Sequence, residues 1–222
     1  MENLQDKFEN IYEKSVWGKN WKGEGGSGKG DGTSPDSKMW IQFLTKFIKE
    51  HNIRTLADLG CGDWKFSRFI PWKELNVQYV GYDVVEKVVE NNNKEYSSSH
   101  VEFQHGDITI TEVKGFNAVV IKDVLQHLSD TDVIKVLDKV LKENDYVIIK
   151  NGYKFGNLTT RKNPQANDWS ERSIDNKYSY HPIALDKYPL NRYKDRVKDF
   201  KNHRYKQIVI LKSDRLPTDS HF

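Results

Sequence analysis

The chain has 222 residues, of which 36% are hydrophobic and 30% are charged, and its formal net charge is +3. Its 6 Trp, 11 Tyr and 10 Phe residues can fill a core, which excludes a chain that is disordered throughout. No apolar run approaches the roughly 20 residues that a membrane helix needs, and the N-terminus lacks the pattern of a signal peptide. The single cysteine, Cys61, excludes an internal disulfide and a Cys-rich zinc site. We therefore expect a cytoplasmic protein without a membrane span.

Positive charge is concentrated towards the C-terminus. Residues 1–150 contain 20 Lys and Arg against 24 Asp and Glu, whereas residues 151–222 contain 15 against 8. A basic segment suits an anionic substrate or nucleic acid. The simpler interpretation, which we prefer, is the solvated surface of a lysine-rich protein.

The first 35 residues predict a short helix followed by a glycine-rich loop. Apolar residues of the segment 1–15 recur at helical spacing. The stretch 23–32 contains too many glycines for a helix or a strand, so a linker is the default interpretation. Tryptophans stand on both sides of this stretch, however, which favours a lid that folds over a bound ligand.

Strands and helices alternate through the middle of the chain. The Ser34-Pro35 pair begins one helix, which runs to about His51, and Ser129 with Asp132 forms a capping box that begins another. A further helix is predicted over 84–96. The predicted strands are Thr55–Leu59, Val77–Tyr82, Val101–His105, Phe116–Ile121, Asp145–Lys150 and, after an irregular basic region, Gln207–Lys212. Apolar strands separated by helices indicate an α/β protein with a parallel sheet covered on both faces.

Acidic residues and glycines stand where the first three strands end. Asp58 lies in the first strand and Gly60 and Gly62 follow it, Asp83 closes the second strand, and Asp107 follows the third. Ligands of open parallel sheets bind at the carboxyl ends of the strands. The glycines let the backbone approach a ligand. Asp83 can accept hydrogen bonds from ribose hydroxyls, and Asp107 is placed to accept one from an adenine amine.

A nicotinamide cofactor is the competing interpretation of a glycine loop with a later acid. That pattern requires glycine at position 65, where the helix packs closely on the strand, but this chain has Lys65. The nicotinamide pattern also does not require acids at the positions of Asp58 and Asp107. The five strand-end residues together therefore favour another adenosyl cofactor.

On these residues the sequence resembles the class I S-adenosylmethionine-dependent methyltransferases. Residues 57–63, 82–84 and 106–108 resemble their first three motifs, and residues 122–129 resemble the segment after strand four. The resemblance implies a Rossmann-like, seven-stranded, mostly parallel sheet with its last strand antiparallel, and S-adenosylmethionine as cofactor. It implies these cofactor-binding residues: Trp17, Asp58, Gly60, Cys61, Gly62, Asp83, Val84, Asp107, Ile108 and Lys122. Trp64 replaces a glycine found in many members, so it either walls the pocket or packs beneath it.

Two flanking segments resemble a subgroup often associated with glycan synthesis. Residues 11–18 with 26–35 resemble its N-terminal segment, and residues 167–170 resemble its Gly-Asp-Trp-Arg stretch, with Arg172 as substitute for the missing arginine. This resemblance implies a sugar hydroxyl as acceptor, with Trp169, Arg172, Tyr178 and Tyr180 binding the substrate. It implies a single methyltransferase domain over 1–222, divided into an N-terminal helix and lid (1–35), a cofactor-binding core (36–150), an acceptor-covering region (151–206) and a last strand with tail (207–222).

A sugar hydroxyl needs a base when its oxygen attacks the methyl carbon. Asp123 and His127 are four residues apart, so one helical turn would place them on the same face. His127 is the base with Asp123 fixing its tautomer, or Asp123 is the base. Alternatively, both residues are structural. His181 is the next candidate. Mg²⁺ is a less favoured alternative because the sequence contains no dedicated cluster of oxygen ligands.

Other acceptors and one other class of protein remain open. Lys122, Asp123 and Lys150 loosely resemble the Lys-Asp-Lys-Glu tetrad of ribose 2′-O-methyltransferases, so an RNA acceptor is the main alternative. The tetrapeptide typical of base amino-methylation is absent after strand four. A small molecule or a protein could also accept the methyl group. A non-catalytic binding module is disfavoured because the strand-end acids and glycines are intact.

Overall fold

A computed structural model describes residues 4–19, 23–27, 34–153, 183–203 and 206–216. The chain contains two compact units, Met1–Thr111 and Glu112–Phe222. Among the helices of the described ranges, none is both long and apolar enough to cross a membrane.

The first unit contains a three-stranded parallel sheet. Its helices are Leu4–Glu13 (α1), Pro35–Glu50 (α2) and Glu86–Tyr96 (α3), and its strands are Thr55–Leu59 (β1), Gln78–Asp83 (β2) and Val101–His105 (β3). β2 lies between β1 and β3, with Leu59 paired to Tyr82 and Asp83 paired to His105. This register places the carboxyl ends of the three strands side by side.

The predicted start of α2 is confirmed. The Ser34 hydroxyl accepts a hydrogen bond from the backbone amide of Ser37 at 3.1 Å, and Pro35 occupies the first turn. The buried face of α2 then carries Trp40, Phe47 and Ile48 at helical spacing. A local cap and a periodic apolar face are therefore sufficient to define this helix.

Trp64 packs in the core of the first unit. Its side chain is 5% exposed, and its ring centroid lies 5.6 Å from that of Tyr79, 5.1 Å from that of Tyr96 and 5.2 Å from that of Phe103. Of the two roles considered for this residue, the contacts favour packing beneath the loop over walling a pocket.

The second unit contains four strands and one long helix. Its strands are Ala118–Lys122 (β4), Tyr146–Gly152 (β5), Val197–His203 (β6) and Lys206–Lys212 (β7), and its helix is Asp130–Glu143 (α4). β4 and β5 are parallel, while β7 is antiparallel to both β5 and β6. Ser129 caps α4 by accepting a hydrogen bond from the amide of Asp132 at 3.1 Å. The strand order is β3-β2-β1 in the first unit and β4-β5-β7-β6 in the second, so the seven strands are mostly parallel with antiparallel last strands, which confirms the predicted fold class.

β6 and the 3₁₀ helix Leu190–Arg196 lie in the region that the sequence leaves without predicted elements. Five of the seven residues of β6 are exposed. Because β6 is the last strand in the sheet order, few of its side chains are buried, and the alternation that reveals a strand is missing. The division of the chain into functional segments remains a prediction.

Candidate active site

The turn after β1 is shaped by two glycines. Gly60 and Gly62 have φ angles of 76° and 58°, in the left-handed region that favours glycine. The backbone amides of Gly60 and Cys61 both donate to the carbonyl oxygen of Tyr82, at 2.8 and 3.0 Å. The loop therefore turns back sharply onto the end of β2.

Asp83 fastens this loop from the end of β2. Its Oδ2 accepts a hydrogen bond from the Gly62 amide at 2.9 Å, and its Oδ1 accepts one from the Val85 amide at 3.1 Å. Burial raises the pKa of Asp83, while these amides oppose the rise. A carboxylate has about four acceptor positions. Asp83 can therefore hold the loop and still accept hydrogen bonds from ribose hydroxyls. These remaining acceptor positions fit the ribose of an adenosyl cofactor.

Asp58 lies buried in β1, just before the loop. Its Oδ2 accepts a hydrogen bond from the Tyr79 hydroxyl at 2.8 Å. Burial and the neighbouring charge of Asp58 raise the pKa of Tyr79 well above its ordinary value. The Tyr79 proton consequently stays in place and keeps the carboxylate oriented.

Asp107 follows β3 and closes a short turn. Its Oδ1 accepts hydrogen bonds from the Thr109 amide at 2.8 Å and from the Thr109 hydroxyl at 2.7 Å. Ile108, beside it, is buried. The carbonyl oxygen of Val84 lies 3.0 Å from Nε2 of His105. Together, β1, β2 and β3 thus end at the predicted cofactor residues.

Asn92 is a residue of this site that the sequence reasoning missed. Its Nδ2 donates to the carbonyl oxygen of Gly62 at 2.7 Å and lies 4.0 Å from Sγ of Cys61. Cys61 is buried, and burial, followed by the charge of Asp83, raises the pKa of its thiol. Asn92 belongs to a run of three asparagines, and no short motif distinguishes it from its neighbours.

The N-terminal segment packs on the same loop. The Ser27 amide donates to Oδ2 of Asp63 at 3.3 Å, and the Ser27 hydroxyl contacts Oδ1 of Asp63. Trp17 contacts the rings of Phe8 and Tyr12, with centroids 5.8 and 6.2 Å apart. These contacts place the predicted cofactor residue Trp17 in an aromatic cluster of the N-terminal segment. A cavity of about 850 Å³ in the first unit is lined by Tyr12 and Asp63 and by residues of α3.

In the second unit, Asp123 follows β4 and is surrounded by lysines. Its Oδ2 lies 2.8 Å from Nζ of Lys122, and its Oδ1 contacts Nζ of Lys206. Its backbone amide donates to the carbonyl oxygen of Lys150 at 2.7 Å. Burial opposes ionisation, but the charges of Lys122, Lys206 and Lys150 outweigh it and hold the pKa of Asp123 well below its usual range.

The backbone between Asp123 and His127 differs from the helical turn that their spacing predicts. Asp123 has a φ angle of 60°, a 3₁₀ turn follows at Leu125–His127, and α4 begins only at Asp130. The reason is a long-range contact, because the hydrogen bond from Asp123 to Lys150 continues the pairing of β4 with β5. Lys122, predicted to bind the cofactor, contacts Asp123.

His127 is 8% exposed and lies on the 3₁₀ turn. Its backbone amide donates to the carbonyl oxygen of Val124 at 2.8 Å, and its Nε2 lies 3.4 Å from Nε2 of Gln126. Oε1 of Gln126 accepts a hydrogen bond from the Gly152 amide at 2.9 Å. The turn that carries the candidate base is thereby attached to the end of β5.

Five predicted acceptor-side residues lie outside the described residues: Trp169, Arg172, Tyr178, Tyr180 and His181. Across the described ranges, no group of three or more His, Cys, Asp and Glu side chains is placed to hold a metal ion.

Residues 56–144 match the family model of a methyltransferase domain. A small RNA 2′-O-methyltransferase of Mus musculus is 26% identical over a stretch that covers 48% of this chain and 30% of that protein. A ribosomal protein L11 methyltransferase of Thermotoga petrophila is 30% identical over 55% of this chain and 45% of that protein. The chain thus spans less than half the length of these curated relatives.

The fold is shared with solved structures. The PH0226 protein of Pyrococcus horikoshii has a TM-score of 0.59 and 20% identity, with 83% of this chain and 94% of that chain covered. The Mg-protoporphyrin IX methyltransferase of Synechocystis with bound S-adenosylhomocysteine has a TM-score of 0.51 and 17% identity, with 80% and 83% covered. Residues 56–144 thus resemble a methyltransferase domain, and the chain shares its fold with these solved structures.

Proposed function

We propose that this chain transfers the methyl group of S-adenosylmethionine to a sugar hydroxyl of a glycan or polysaccharide, with His127 as the general base. The observation that carries the choice of base is the lysine-paired carboxylate of Asp123. The two candidate bases differ in this respect. Asp123 is an ionised carboxylate paired with lysines, whereas His127 is a buried imidazole.

The cofactor residues would hold an adenosyl group through Asp83 and the loop around Gly60 and Gly62. Bound S-adenosylmethionine supplies a methyl group on a positively charged sulfur, and loss of the methyl leaves a neutral thioether. The protein therefore needs no acid for the leaving group. Its task is to align the acceptor, which can contribute roughly 7–11 kcal/mol, and to accept one proton.

Asp123 is poorly suited to accept that proton. A general base works best when its pKa lies near the working pH, but Lys122, Lys206 and Lys150 hold the pKa of Asp123 far below it. Imidazole is the side-chain group that most often serves as a general base. We therefore assign proton transfer to His127 and assign to Asp123 the positioning of the surrounding lysines. His181 remains a second candidate base.

A glycan acceptor is supported by the sequence resemblance of residues 11–18, 26–35 and 167–170 to the glycan-associated subgroup. Aromatic side chains at Trp169, Tyr178 and Tyr180 suit stacking on sugar faces, and Arg172 can donate hydrogen bonds to hydroxyls. The proposed reaction uses no metal ion.

An RNA ribose hydroxyl is the second candidate acceptor. It is supported by the similarity to the mouse small RNA 2′-O-methyltransferase. The contacts of Asp123 with Lys122 and with the backbone of Lys150 also bring together three residues that resemble the 2′-O-methyltransferase tetrad. Both candidates are sugar hydroxyls, so the same base serves either one.

The deciding experiment follows transfer of a labelled methyl group from S-adenosylmethionine to a panel of glycans, nucleosides, RNA and protein, each with and without EDTA. We expect a glycan to become labelled, and to the same extent with and without EDTA. If only RNA is labelled, the proposed acceptor becomes a ribose hydroxyl instead of a glycan. If only protein is labelled, the proposal of a sugar acceptor is overturned. Loss of transfer in EDTA would overturn the metal-free mechanism.

A variant pair tests the base. We expect His127→Gln to lower the turnover number by about 10²–10⁴-fold while the affinity for S-adenosylhomocysteine stays within twofold. His100→Gln serves as the matched control, because its ring lies beside exposed Gln78. Full activity in the His127 variant would contradict the assignment.

A further inference from the structure

The side chain of Asn151, at the carboxyl end of β5, is buried without a polar partner among the described residues. It is 1% exposed, and neither its Oδ1 nor its Nδ2 has a hydrogen-bond partner there. Buried amides are normally paired, because an unpaired one costs the full penalty of removing it from water. Such an unpaired amide therefore needs an explanation.

The neighbouring strand provides a direct comparison. Gln207 in β7 is paired in register with Asn151 and is also a buried amide. Oε1 of Gln207 accepts a hydrogen bond from the Leu185 amide at 2.8 Å, and its Nε2 donates to Oδ1 of Asn202 at 2.8 Å. Both polar atoms of Gln207 are therefore satisfied, whereas those of Asn151 have no partner in the described part of the chain.

Asn151 also lies next to the segment that carries the candidate base. The residue after it, Gly152, donates its amide hydrogen to Gln126, the immediate neighbour of His127 on the 3₁₀ turn. Asn151 thus occupies the end of a parallel strand, where this class of fold binds ligands, and one residue from a contact to that turn.

We propose that Asn151 binds the acceptor substrate by hydrogen bonds to its hydroxyl groups, an inference that rests on the proposed function. An amide both donates and accepts, as does a hydroxyl, so one asparagine can pair with two adjacent hydroxyls of a sugar ring. An acceptor with a single isolated hydroxyl would use only half of this capacity. Asn151 is accordingly a substrate-binding residue that favours acceptors with neighbouring hydroxyls, in a glycan or in ribose.

The test compares Asn151→Leu with Gln207→Leu in the whole chain. Leucine keeps the branching and the number of heavy atoms of the asparagine side chain and removes its polar atoms. We expect Asn151→Leu to leave the melting temperature unchanged or higher, because the substitution removes no hydrogen bond to a described residue. Gln207→Leu removes two hydrogen bonds, and we expect it to lower the melting temperature. If both variants lower it equally, Asn151 has a partner in the chain and the proposal is overturned.

The kinetic arm uses whichever panel member the wild type labels, whether a methyl glycoside, a polysaccharide or an RNA oligonucleotide. We expect Asn151→Leu to raise the acceptor KM about tenfold and to leave the affinity for S-adenosylhomocysteine unchanged. Asn151→Ser, which retains one polar group, should recover part of the KM. Label on an acceptor with an unchanged KM overturns this assignment alone, whereas no label on any member overturns the proposed function together with it.

Discussion

The carboxylate of Asp83 and the backbone amide of Gly62 are joined by a hydrogen bond of 2.9 Å between residues 21 positions apart. This contact connects the end of β2 to the turn after β1. The group expected to hold the ribose therefore also sets the shape of the glycine loop. One carboxylate is thus expected to bind the ribose and to fix the glycine loop. Substitutions that make the backbone at Gly62 less rigid should therefore weaken cofactor binding, even when the substituted residue would not touch the cofactor.

Two adjacent asparagines of α3 test this coupling. Asn92 donates to the carbonyl oxygen of Gly62, whereas Asn93 bonds the backbone of Phe103 in β3 at 2.8 and 3.2 Å. We expect each alanine variant to lose about 1 kcal/mol of unfolding free energy, measured by urea denaturation. Asn92→Ala should also raise the Kd for S-adenosylhomocysteine about fivefold in calorimetry. Equal losses of affinity in both variants would contradict the coupling.

Gly62→Ala and Gly115→Ala separate backbone strain from a steric clash. Both glycines have positive φ angles, 58° and 79°, so alanine costs about 1–2 kcal/mol at either position. A Cβ at Gly62 would lie 2.8 Å from Cβ of Ser27, whereas one at Gly115 would have no atom within 4 Å. We therefore expect a larger loss of stability and weaker cofactor binding in Gly62→Ala. Equal losses in the two variants would contradict the contact with Ser27.

The elements that the sequence predicts well are those defined by local signals. β1 and β3 have the predicted bounds because β1 is a short, largely apolar run and β3 begins with alternating apolar and polar residues. The caps at Ser34 and Ser129 begin their helices as expected. The predicted strand ends then place Asp58, Asp83 and Asp107 at neighbouring positions, because the register of parallel strands follows from the fold.

What the sequence does not predict depends on long-range contacts. The exposed strand β6 shows no apolar alternation. The left-handed backbone at Asp123 is fixed by a hydrogen bond to Lys150, 27 positions further along the chain, and this contact replaces the expected helical turn. Asn92 was missed for the same reason, since only the folded chain brings it to Gly62.

The contact of the N-terminal segment with Asp63 leads us to expect that a bound ligand changes the rate of proteolysis in that segment. If residues 17–35 form a lid over the cofactor, S-adenosylhomocysteine should slow tryptic cleavage at Lys19, followed by mass spectrometry. Ser27→Ala should reduce this protection because it removes the hydroxyl contact with Asp63. Ser98→Ala is a matched control, since the Ser98 hydroxyl accepts a local hydrogen bond from the His100 amide at 3.2 Å. Equal cleavage with and without ligand would discard the lid.

Asp123→Asn should destabilise the protein at neutral pH, because it removes the carboxylate that Lys122 and Lys206 contact and that lies near fully buried Lys150. Because the side chains of Asp123, Lys122 and Lys206 are partly exposed, the loss should be about 1–2 kcal/mol, less than for a fully buried charge pair.

The same substitution has a defined pH dependence. The pKa of Asp123 is lower in the folded state than in the unfolded state. Its ionised carboxylate therefore stabilises the folded state fully above the unfolded pKa, which is about 4, and this stabilisation declines as the pH falls below that value. The stability gap between wild type and Asp123→Asn should therefore narrow by about 1 kcal/mol between pH 5 and pH 3. Asp186→Asn breaks an exposed pair with Lys187 at 3.9 Å and should change stability by less than about 1 kcal/mol. A gap that stays constant or widens on acidification would show that the lysines do not hold Asp123 ionised, and would restore it as a candidate base.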